Sequence, residues 1–274
     1  MSVHRNHRLA GVVPALALAL GLALSTPFGP AAGAAAATAR ATVEDTAHGR
    51  VLFYTAAAGQ TNRLTLTETH DEWYLRYVID DSVPISTGSA CTHPVSTDLT
   101  KVSCLVEKMD LPDPYATLEM RLGDRNDRVR ADNASDQTYF SNLIDLGTGN
   151  DTSVSTGIID GSRTYGRAGA DVITVGRRGF ADGGRGNDVI RGGAGPQYLT
   201  GGDGNDTISG GGSADRLYGG GGRDRLYGGS GNDSVYGNSG DDRLYGGRGD
   251  DQLYGGPGYD RIHGGPGHDT VHYG

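Results

Sequence analysis

The chain has 274 residues, of which 47 are glycine, about one residue in six against roughly 7% in ordinary proteins. Hydrophobic residues make up only 36% of the sequence, which is little for one compact core of this length. The glycines do not recur at every third residue and there are only 10 prolines, so collagen is excluded. A formal net charge of -9 makes nucleic acid a poor partner.

The first 39 residues have the composition of an export signal. Arg5 and Arg8 precede an apolar run from Leu9 to Leu24, and Ala37-Thr38-Ala39 fits the small-x-small rule for cleavage before Arg40. An uncleaved membrane anchor is the alternative, but the apolar run is shorter than the ~20 residues that span a bilayer. The sequence therefore predicts a signal peptide over 1–39 and a secreted, extracellular protein without a transmembrane segment after cleavage.

Two cysteines, Cys91 and Cys104, follow the predicted signal. An even number of cysteines in an oxidising compartment favours pairing, so we predict a disulfide bond between them. It would close a loop of about 15 residues, for which chain entropy gives about 3 kcal/mol. Free thiols are the alternative, although no Cys-x-x-Cys or Cys/His cluster indicates redox or zinc chemistry.

The region 40–182 has the patterns of β-strands without a regular repeat. Arg63 to Thr67 alternates leucine with polar residues, as a half-buried strand does. Three short Gly-rich motifs end at Asp127, Asp151 and Asp171, with spacings of 24 and 20 residues. We therefore predict a β-rich amino-terminal region whose degenerate repeats form irregular β-helical coils, with little helix.

From Gly183 to His272 the chain consists of ten consecutive nine-residue units with the pattern Gly-Gly-x-Gly-x-Asp-x-aliphatic-x. Position eight is aliphatic in every unit, and position six is aspartate in all units except the one with Gln197. The position-six aspartates are Asp188, Asp206, Asp215, Asp224, Asp233, Asp242, Asp251, Asp260 and Asp269.

The unit predicts its own geometry. Glycines allow a tight six-residue turn, and three residues with one inward aliphatic side chain make a short strand. Two units per coil place residues 18 apart above one another, at strand spacing of roughly 4.8 Å. The predicted fold is all-β, a right-handed parallel β-solenoid over 183–272, in which the position-six carboxylates form two columns.

Stacked carboxylates about 5 Å apart repel by about 1 kcal/mol per pair in water and by roughly 3 kcal/mol at an effective dielectric near 20. The columns therefore need a counter-cation. Carboxylates beside turn carbonyls suit Ca²⁺, whereas zinc prefers the His or Cys ligands that these turns lack. Gln197 interrupts the second column, so we expect a weakened site between Gln197 and Asp215.

These repeats resemble the RTX (repeats-in-toxin, hemolysin-type) calcium-binding family, whose nonapeptide forms a parallel β-roll. The resemblance covers 183–272 and implies calcium held between successive turns by the nine position-six aspartates and by loop carbonyls. Toxins of the family usually carry a carboxy-terminal secretion signal, whereas this chain has the amino-terminal one. The toxin role is therefore not transferred.

No catalytic residues are predicted. No His-Glu-x-x-His motif occurs, which excludes that class of zinc protease, and pairs such as Asp241-Asp242 belong to the repeat pattern. We predict a secreted calcium-binding protein with a structural or adhesive role and no enzymatic activity. The alternative is a calcium-dependent extracellular enzyme that acts on polysaccharide, with the repeats as an accessory module.

Position nine carries an aromatic series on each predicted sheet. Tyr218, Tyr236, Tyr254 and His272 fall on one sheet, and Tyr227, Tyr245 and His263 fall on the other. Outward aromatic ladders would shield the sheets by stacking along them. They would also make a platform for a cell-wall or other extracellular glycan, which is the candidate partner besides calcium.

Overall fold

The computed structural model describes residues 38–47, 49–107, 115–133, 140–157 and 160–274. The predicted signal peptide therefore lies outside the described residues, except for Thr38 and for Ala39, with which the first strand begins. All regular elements of the described residues are strands. Within this part of the chain no helix is long and apolar enough to cross a membrane.

The strands form two sheets of twelve strands each, and from β7 onward successive strands alternate between them. The first sheet consists of β1 (Ala39–Thr46), β2 (Gly49–Thr55), β5 (Ile85–Thr87), β8 (Tyr115–Arg121), β10 (Phe140–Asp145), β12 (Asp160–Ala168), β14 (Arg178–Arg185), β16 (Tyr198–Asp203), β18 (Arg216–Gly221), β20 (Ser234–Ser239), β22 (Gln252–Tyr254) and β24 (Thr270–His272). The second consists of β3 (Arg63–His70), β4 (Tyr74–Asp80), β6 (Cys91–Thr92), β7 (Lys101–Glu107), β9 (Arg128–Asn133), β11 (Thr152–Gly157), β13 (Val172–Thr174), β15 (Val189–Arg191), β17 (Thr207–Gly212), β19 (Arg225–Ser230), β21 (Arg243–Arg248) and β23 (Arg261–His263).

From β8 onward each strand pairs in parallel with the strand one coil away, so the predicted parallel β-solenoid is confirmed. The register gives the length of each coil. Ser153 lies opposite Ile173, Ile173 opposite Ile190 and Ile190 opposite Ile208, so the coil shortens from 20 to 17 residues and then settles at 18. This last value is the predicted spacing of two nine-residue units.

The two sheets continue without a break through residue 183, where the sequence becomes regular. Strand β14 contains that residue, and it pairs with β12 on one side and with β16 on the other. The change in sequence character is therefore a change in how the coils are filled, while the hydrogen-bonded ladder of the sheets stays the same.

The solenoid interior between the sheets is one residue wide in the repeat region. The position-eight side chains from Ile190 to Leu253 are fully buried, while Ile262 and Val271 in the last coil are only partly buried. The interior is richer at the amino-terminal end, where Tyr54 and Tyr77 are fully buried among aliphatic residues. The Tyr54 hydroxyl donates a hydrogen bond of 2.5 Å to Asp81.

Antiparallel strands extend both sheets at the amino-terminal end of the solenoid. Strand β1 pairs antiparallel with β2, and β4 pairs antiparallel with β3 and β7. The predicted disulfide is present, because Cys91 of β6 lies opposite Cys104 of β7 and is bonded to it. This end therefore has a larger apolar core than the repeats, and it has the covalent link that the described repeats lack.

Candidate metal centre

Each position-six aspartate connects three successive coils, as Asp224 illustrates. Its Oδ1 accepts a hydrogen bond of 2.8 Å from the backbone N–H of Asp206, one coil earlier. Its own N–H donates a 2.8 Å bond to Oδ1 of Asp242, one coil later. Its carbonyl oxygen accepts a third bond, of 2.9 Å, from the N–H of Arg243. The aspartate side chain is thus part of the backbone ladder.

The other carboxylate oxygen of these aspartates has no hydrogen-bond partner among the described residues. Asp224 is 1% exposed, and its Oδ2 is buried and unpaired. A buried carboxylate oxygen without a donor is costly, because water no longer solvates it. The same unpaired Oδ2 occurs at Asp188, Asp206, Asp215, Asp224, Asp233, Asp242 and Asp251.

A glycine at position one leaves space beside each of these oxygens. A Cβ atom at Gly219 would lie 2.4 Å from Oδ2 of Asp224 and 2.6 Å from the carbonyl oxygen of Gly237. No side chain fits there without displacing backbone. The same arrangement, with Oδ2 at 2.2–2.5 Å and the carbonyl oxygen at 2.5–2.7 Å from the missing Cβ, is found at Gly183, Gly201, Gly210, Gly219, Gly228, Gly237 and Gly246. At Gly255 and Gly264, in the last coil, only Oδ2 lies this close.

We call this space, bounded by the position-one glycine, the aspartate Oδ2 and the next coil's carbonyl, the glycine cradle. Its atoms fit the calcium ion that the motif implies, because each donor is oxygen and Ca²⁺ takes about six to eight oxygen ligands. No group of three or more His, Cys, Asp or Glu side chains in the described part of the chain is close enough to hold a metal. A bound ion would therefore take loop carbonyls besides carboxylates, and would neutralise the buried column.

Burial raises the pKa values of carboxyl groups in the two columns. Loss of solvation, reinforced by the charge of Asp242 and opposed by the backbone hydrogen bond from Asp206, raises the pKa of Asp224 to about 6. Burial likewise raises the pKa of Asp215 to about 7. Without a cation, burial disfavours the ionised form of these carboxyl groups relative to water. A bound calcium ion would stabilise the ionised form.

The nine predicted aspartates occupy the two predicted columns. The first contains Asp188, Asp206, Asp224, Asp242 and Asp260, and the second contains Asp215, Asp233, Asp251 and Asp269. Asp260 and Asp269, in the last coils, are only partly buried. No further coil among the described residues supplies an Oδ1 to accept their N–H groups and extend the ladder.

The first column is longer than the sequence predicted. Oδ1 of Asp188 accepts a bond of 2.7 Å from the N–H of Asp171. Asp171 in turn accepts one from Asp151, and Asp151 accepts one from Asp127, at 2.8 and 2.7 Å. The irregular spacing of these three aspartates hid them from the nine-residue pattern, although they end the Gly-rich motifs that predict irregular coils.

Only Asp171 of these three has a glycine cradle. A Cβ at Gly166 would lie 2.4 Å from Oδ2 of Asp171 and 2.4 Å from the carbonyl oxygen of Gly183. In the two earlier coils the equivalent positions hold Leu122 and Leu146, which are buried at 1% and 0% exposure. Asp171 is therefore an additional candidate ligand, and a glycine five residues before an aspartate is the signal that could have found it.

Position five carries a second ladder that the sequence analysis missed. The N–H of Tyr259 donates to Oδ1 of Asp241 at 3.1 Å, and the N–H of His268 donates to Oδ1 of Asp250 at 2.8 Å. Asn187 and Asn205 accept equivalent bonds from the next coil. The first carboxylate of pairs such as Asp241-Asp242 thus links the turns of successive coils.

The outer face of the first sheet carries a continuous aromatic ladder. The predicted stack of Tyr218, Tyr236, Tyr254 and His272 is confirmed. It extends backward through Tyr198 at position seven, through Phe180 in register with it, and to Tyr165, which is in register with position nine. Ring centroids lie 4.5–5.5 Å apart along the series Tyr165, Phe180, Tyr198, Tyr218, Tyr236, Tyr254 and His272. On the second sheet Tyr227 stacks on Tyr245 at 5.0 Å, and His263 meets Tyr245 edge-on.

The geometry of the coils agrees with a comparison against known families. The family model for the RTX calcium-binding nonapeptide repeat matches in four copies, over residues 180–195, 200–235, 218–253 and 245–274. Residues 180–274 carry RTX calcium-binding repeats. The RTX match begins one coil after Gly166, so the cradle at Asp171 lies outside it. No curated protein and no solved structure matches the chain.

Proposed function

We propose that the protein is secreted and that its RTX coils fold when calcium fills the glycine cradles. The observation that carries this proposal is the repeated buried, unpaired Oδ2 beside a position-one glycine in both columns. The repeats bury one aliphatic side chain per unit and order many glycines, whose conformational entropy is the most expensive to lose. Binding free energy would therefore supply folding free energy.

Calorimetric titration of the full chain with calcium, followed in parallel by far-UV circular dichroism, tests this proposal. If each complete cradle holds one ion between its own coil and the next, the first column from Asp171 to Asp260 takes five and the second from Asp215 to Asp269 takes three. We expect about eight ions, a concurrent gain of β-structure and a much weaker response to magnesium, which prefers stricter octahedral geometry. Full β-structure in chelator, or one or two ions, would refute it.

We further propose that the folded solenoid has an adhesive role, with an acidic extracellular glycan as the partner. A groove of about 940 Å³ on the first sheet is lined by the aromatic rings of Phe180 and Tyr198 and by Arg163, Arg178 and Arg216. Sugar rings stack on aromatic faces, and guanidinium groups pair with carboxylates or sulfates. This combination of apolar and cationic groups supports binding of a negatively charged saccharide.

Glycan-array binding in calcium tests the adhesive role. Tyr198→Ala should weaken binding at least about tenfold, because it removes a ring from the middle of the platform. Tyr259→Ala is the control, since Tyr259 is 89% exposed and is not in the stacked series. Equal binding by both variants, or no binding to any acidic glycan, would contradict the proposal.

We propose that the protein has no enzymatic activity. The support is the role of the acidic side chains. Position six takes part in the ladder and the cradles, and position five accepts hydrogen bonds from the turn of the next coil. Depolymerisation or epimerisation of an acidic polysaccharide by the calcium-loaded protein would instead establish the enzymatic alternative. The same array ligands would serve as substrates, so one set of saccharides decides between the two roles.

A further inference from the structure

Gln197 continues the second column with an amide in place of a carboxylate. Its side chain is buried, and its Oε1 accepts a 2.7 Å hydrogen bond from the N–H of Gly179 in the preceding coil. Its own N–H donates to Oδ1 of Asp215 at 2.8 Å. The amide oxygen thus accepts the hydrogen bond that a carboxylate Oδ1 accepts in the other coils, and the ladder is continuous through Gln197.

The amide nitrogen of Gln197 lies among three backbone carbonyl oxygens. Nε2 donates to the carbonyls of Gly176, Arg177 and Gly195, at 3.0, 2.8 and 2.8 Å. Gly176 and Arg177 belong to the preceding coil, and Gly195 belongs to the turn of Gln197 itself. Three carbonyl oxygens from two successive coils therefore converge on one partially positive group.

We propose that the Gln197 carboxamide replaces one cation and closes the first coil of the second column without metal. An amide N–H group carries partial positive charge, so it satisfies the converging carbonyls that would otherwise need an ion. The side chain reaches toward Gly179 and away from Asp215. The amide therefore closes the interval before Gln197. The interval after it, which the sequence indicated as weakened, also lacks a complete cradle, because Gly192 faces Cγ of Gln197 in place of a carboxylate oxygen.

The first column begins differently, which sets Gln197 apart. The backbone N–H of Asn62 donates to Oδ1 of Asp127 at 2.7 Å, and its Nδ2 donates to the same oxygen at 3.3 Å and to the carbonyl of Gln60 at 3.4 Å. The amide oxygen of Asn62 is buried without a hydrogen-bond partner among the described residues. The amide of Gln197, by contrast, has partners at both its oxygen and its nitrogen.

The inference rests on the proposed calcium-dependent folding, and two variants test it by calorimetric stoichiometry and by melting temperature in chelator. Gln197→Asp removes the amide and shortens the side chain, so the carbonyls of Gly176, Arg177 and Gly195 become available to an ion. We expect it to bind one calcium more than the wild type and to melt at a lower temperature in chelator. Gln197→Met, of similar length, should melt lower in chelator without gaining an ion.

Hydrogen exchange of the wild type in chelator provides a readout that no variant can spoil by misfolding. The amides of Gly179 and Gln197 should exchange at least about tenfold more slowly than those of Asp233 and Asp251, which lie in coils closed by glycine cradles. Equal exchange at the four amides, or an unchanged ion count in Gln197→Asp, would overturn the inference while calcium-driven folding of the wild type stands. A wild type that takes up no calcium would refute the proposed function itself.

Discussion

The coils at Asp127 and Asp151 and the coils from Asp171 onward share one hydrogen-bonded ladder but differ in what fills it. In both regions an aspartate Oδ1 accepts the N–H of the preceding coil, at 2.7 or 2.8 Å near this junction. At position one, however, the earlier coils place the buried side chains of Leu122 and Leu146, and the later ones place glycine. The same turn can therefore be closed by an apolar side chain or by a cradle suited to an ion.

This difference divides the molecule by what stabilises it. The amino-terminal coils have antiparallel partners, a disulfide and buried tyrosines, so they bury apolar surface beyond one residue per unit. The RTX coils replace most of that surface with glycine. Their stability should depend on calcium, while the amino-terminal coils should fold without it and serve as a template for the stack.

The largest expected effect comes from removing calcium altogether. In chelator, amides of the RTX coils from Gly201 to His272 should lose protection from hydrogen exchange, whereas those of β3, β4 and β7 should keep it. The reason is that each cradle of the RTX coils then holds an unpaired carboxylate that its column neighbours repel, whereas β3, β4 and β7 are stabilised by apolar packing, antiparallel pairing and the disulfide. Hydrogen exchange with mass spectrometry measures both regions in one experiment. Uniform protection, or uniform loss, would contradict the division.

The repeat geometry could be predicted from sequence because the nine-residue period is strict. Spacing alone gave the 18-residue register, the inward aliphatic residues and the two columns, and the lone pair of cysteines gave the disulfide. The sequence predicted irregular coils at Asp127 and Asp151 but not their aspartate ladder, since coil length varies there and leucine replaces the diagnostic glycine. The role of Gln197 depends on where loop carbonyls converge, which no spacing encodes.

A side chain placed in one glycine cradle should destabilise the RTX coils and reduce their calcium binding. Gly219→Ala would place a Cβ 2.4 Å from Oδ2 of Asp224 and 2.6 Å from a carbonyl oxygen. Overpacking of this kind costs about 1–3 kcal/mol, and the displaced carboxylate would also lose an ion. We expect a lower melting temperature in calcium and at least one ion fewer by calorimetry.

Gly221→Ala, in the same unit, is the matched control for Gly219→Ala. The nearest atoms to its Cβ would lie at 3.6 and 3.8 Å, and its φ is not positive. Replacing such a glycine stabilises a protein by about 0.4–1 kcal/mol, since it reduces the freedom of the unfolded chain. Changes in melting temperature of opposite sign for the two variants would support the cradle. Equal decreases in melting temperature would refute it.

Truncation of the leucine that occupies position one in an amino-terminal coil should destabilise that coil independently of calcium. Leu146→Ala removes a fully buried side chain and should cost about 2–5 kcal/mol, as large-to-small core substitutions do. Chemical denaturation of the amino-terminal coils, followed at their own amides, should give the same loss in calcium and in chelator. A loss confined to calcium would mean that this coil also holds an ion.

The smallest expected effect is the response of the metal-free protein to pH. Burial raises the pKa of Asp206 and Asp215 to about 7 and that of Asp233 to about 6, above the ordinary value of 3.8. Between pH 3.8 and the raised pKa values of about 6–7, the folded state keeps protons that the unfolded chain has released. That contribution to stability is complete below about pH 4 and is lost as pH rises through about 6–7.

Acidification should therefore substitute in part for calcium in the RTX coils. In chelator, circular dichroism should register more β-structure at pH 5 than at pH 8, while the amino-terminal amides change less because fewer carboxyls there are buried in columns. In calcium the trend should reverse, since protons compete with the ion for the same carboxylates. Asp206→Asn removes one titrating group and should reduce the acid-induced gain. Metal-free coils that lose structure on acidification would contradict a buried, ionised column.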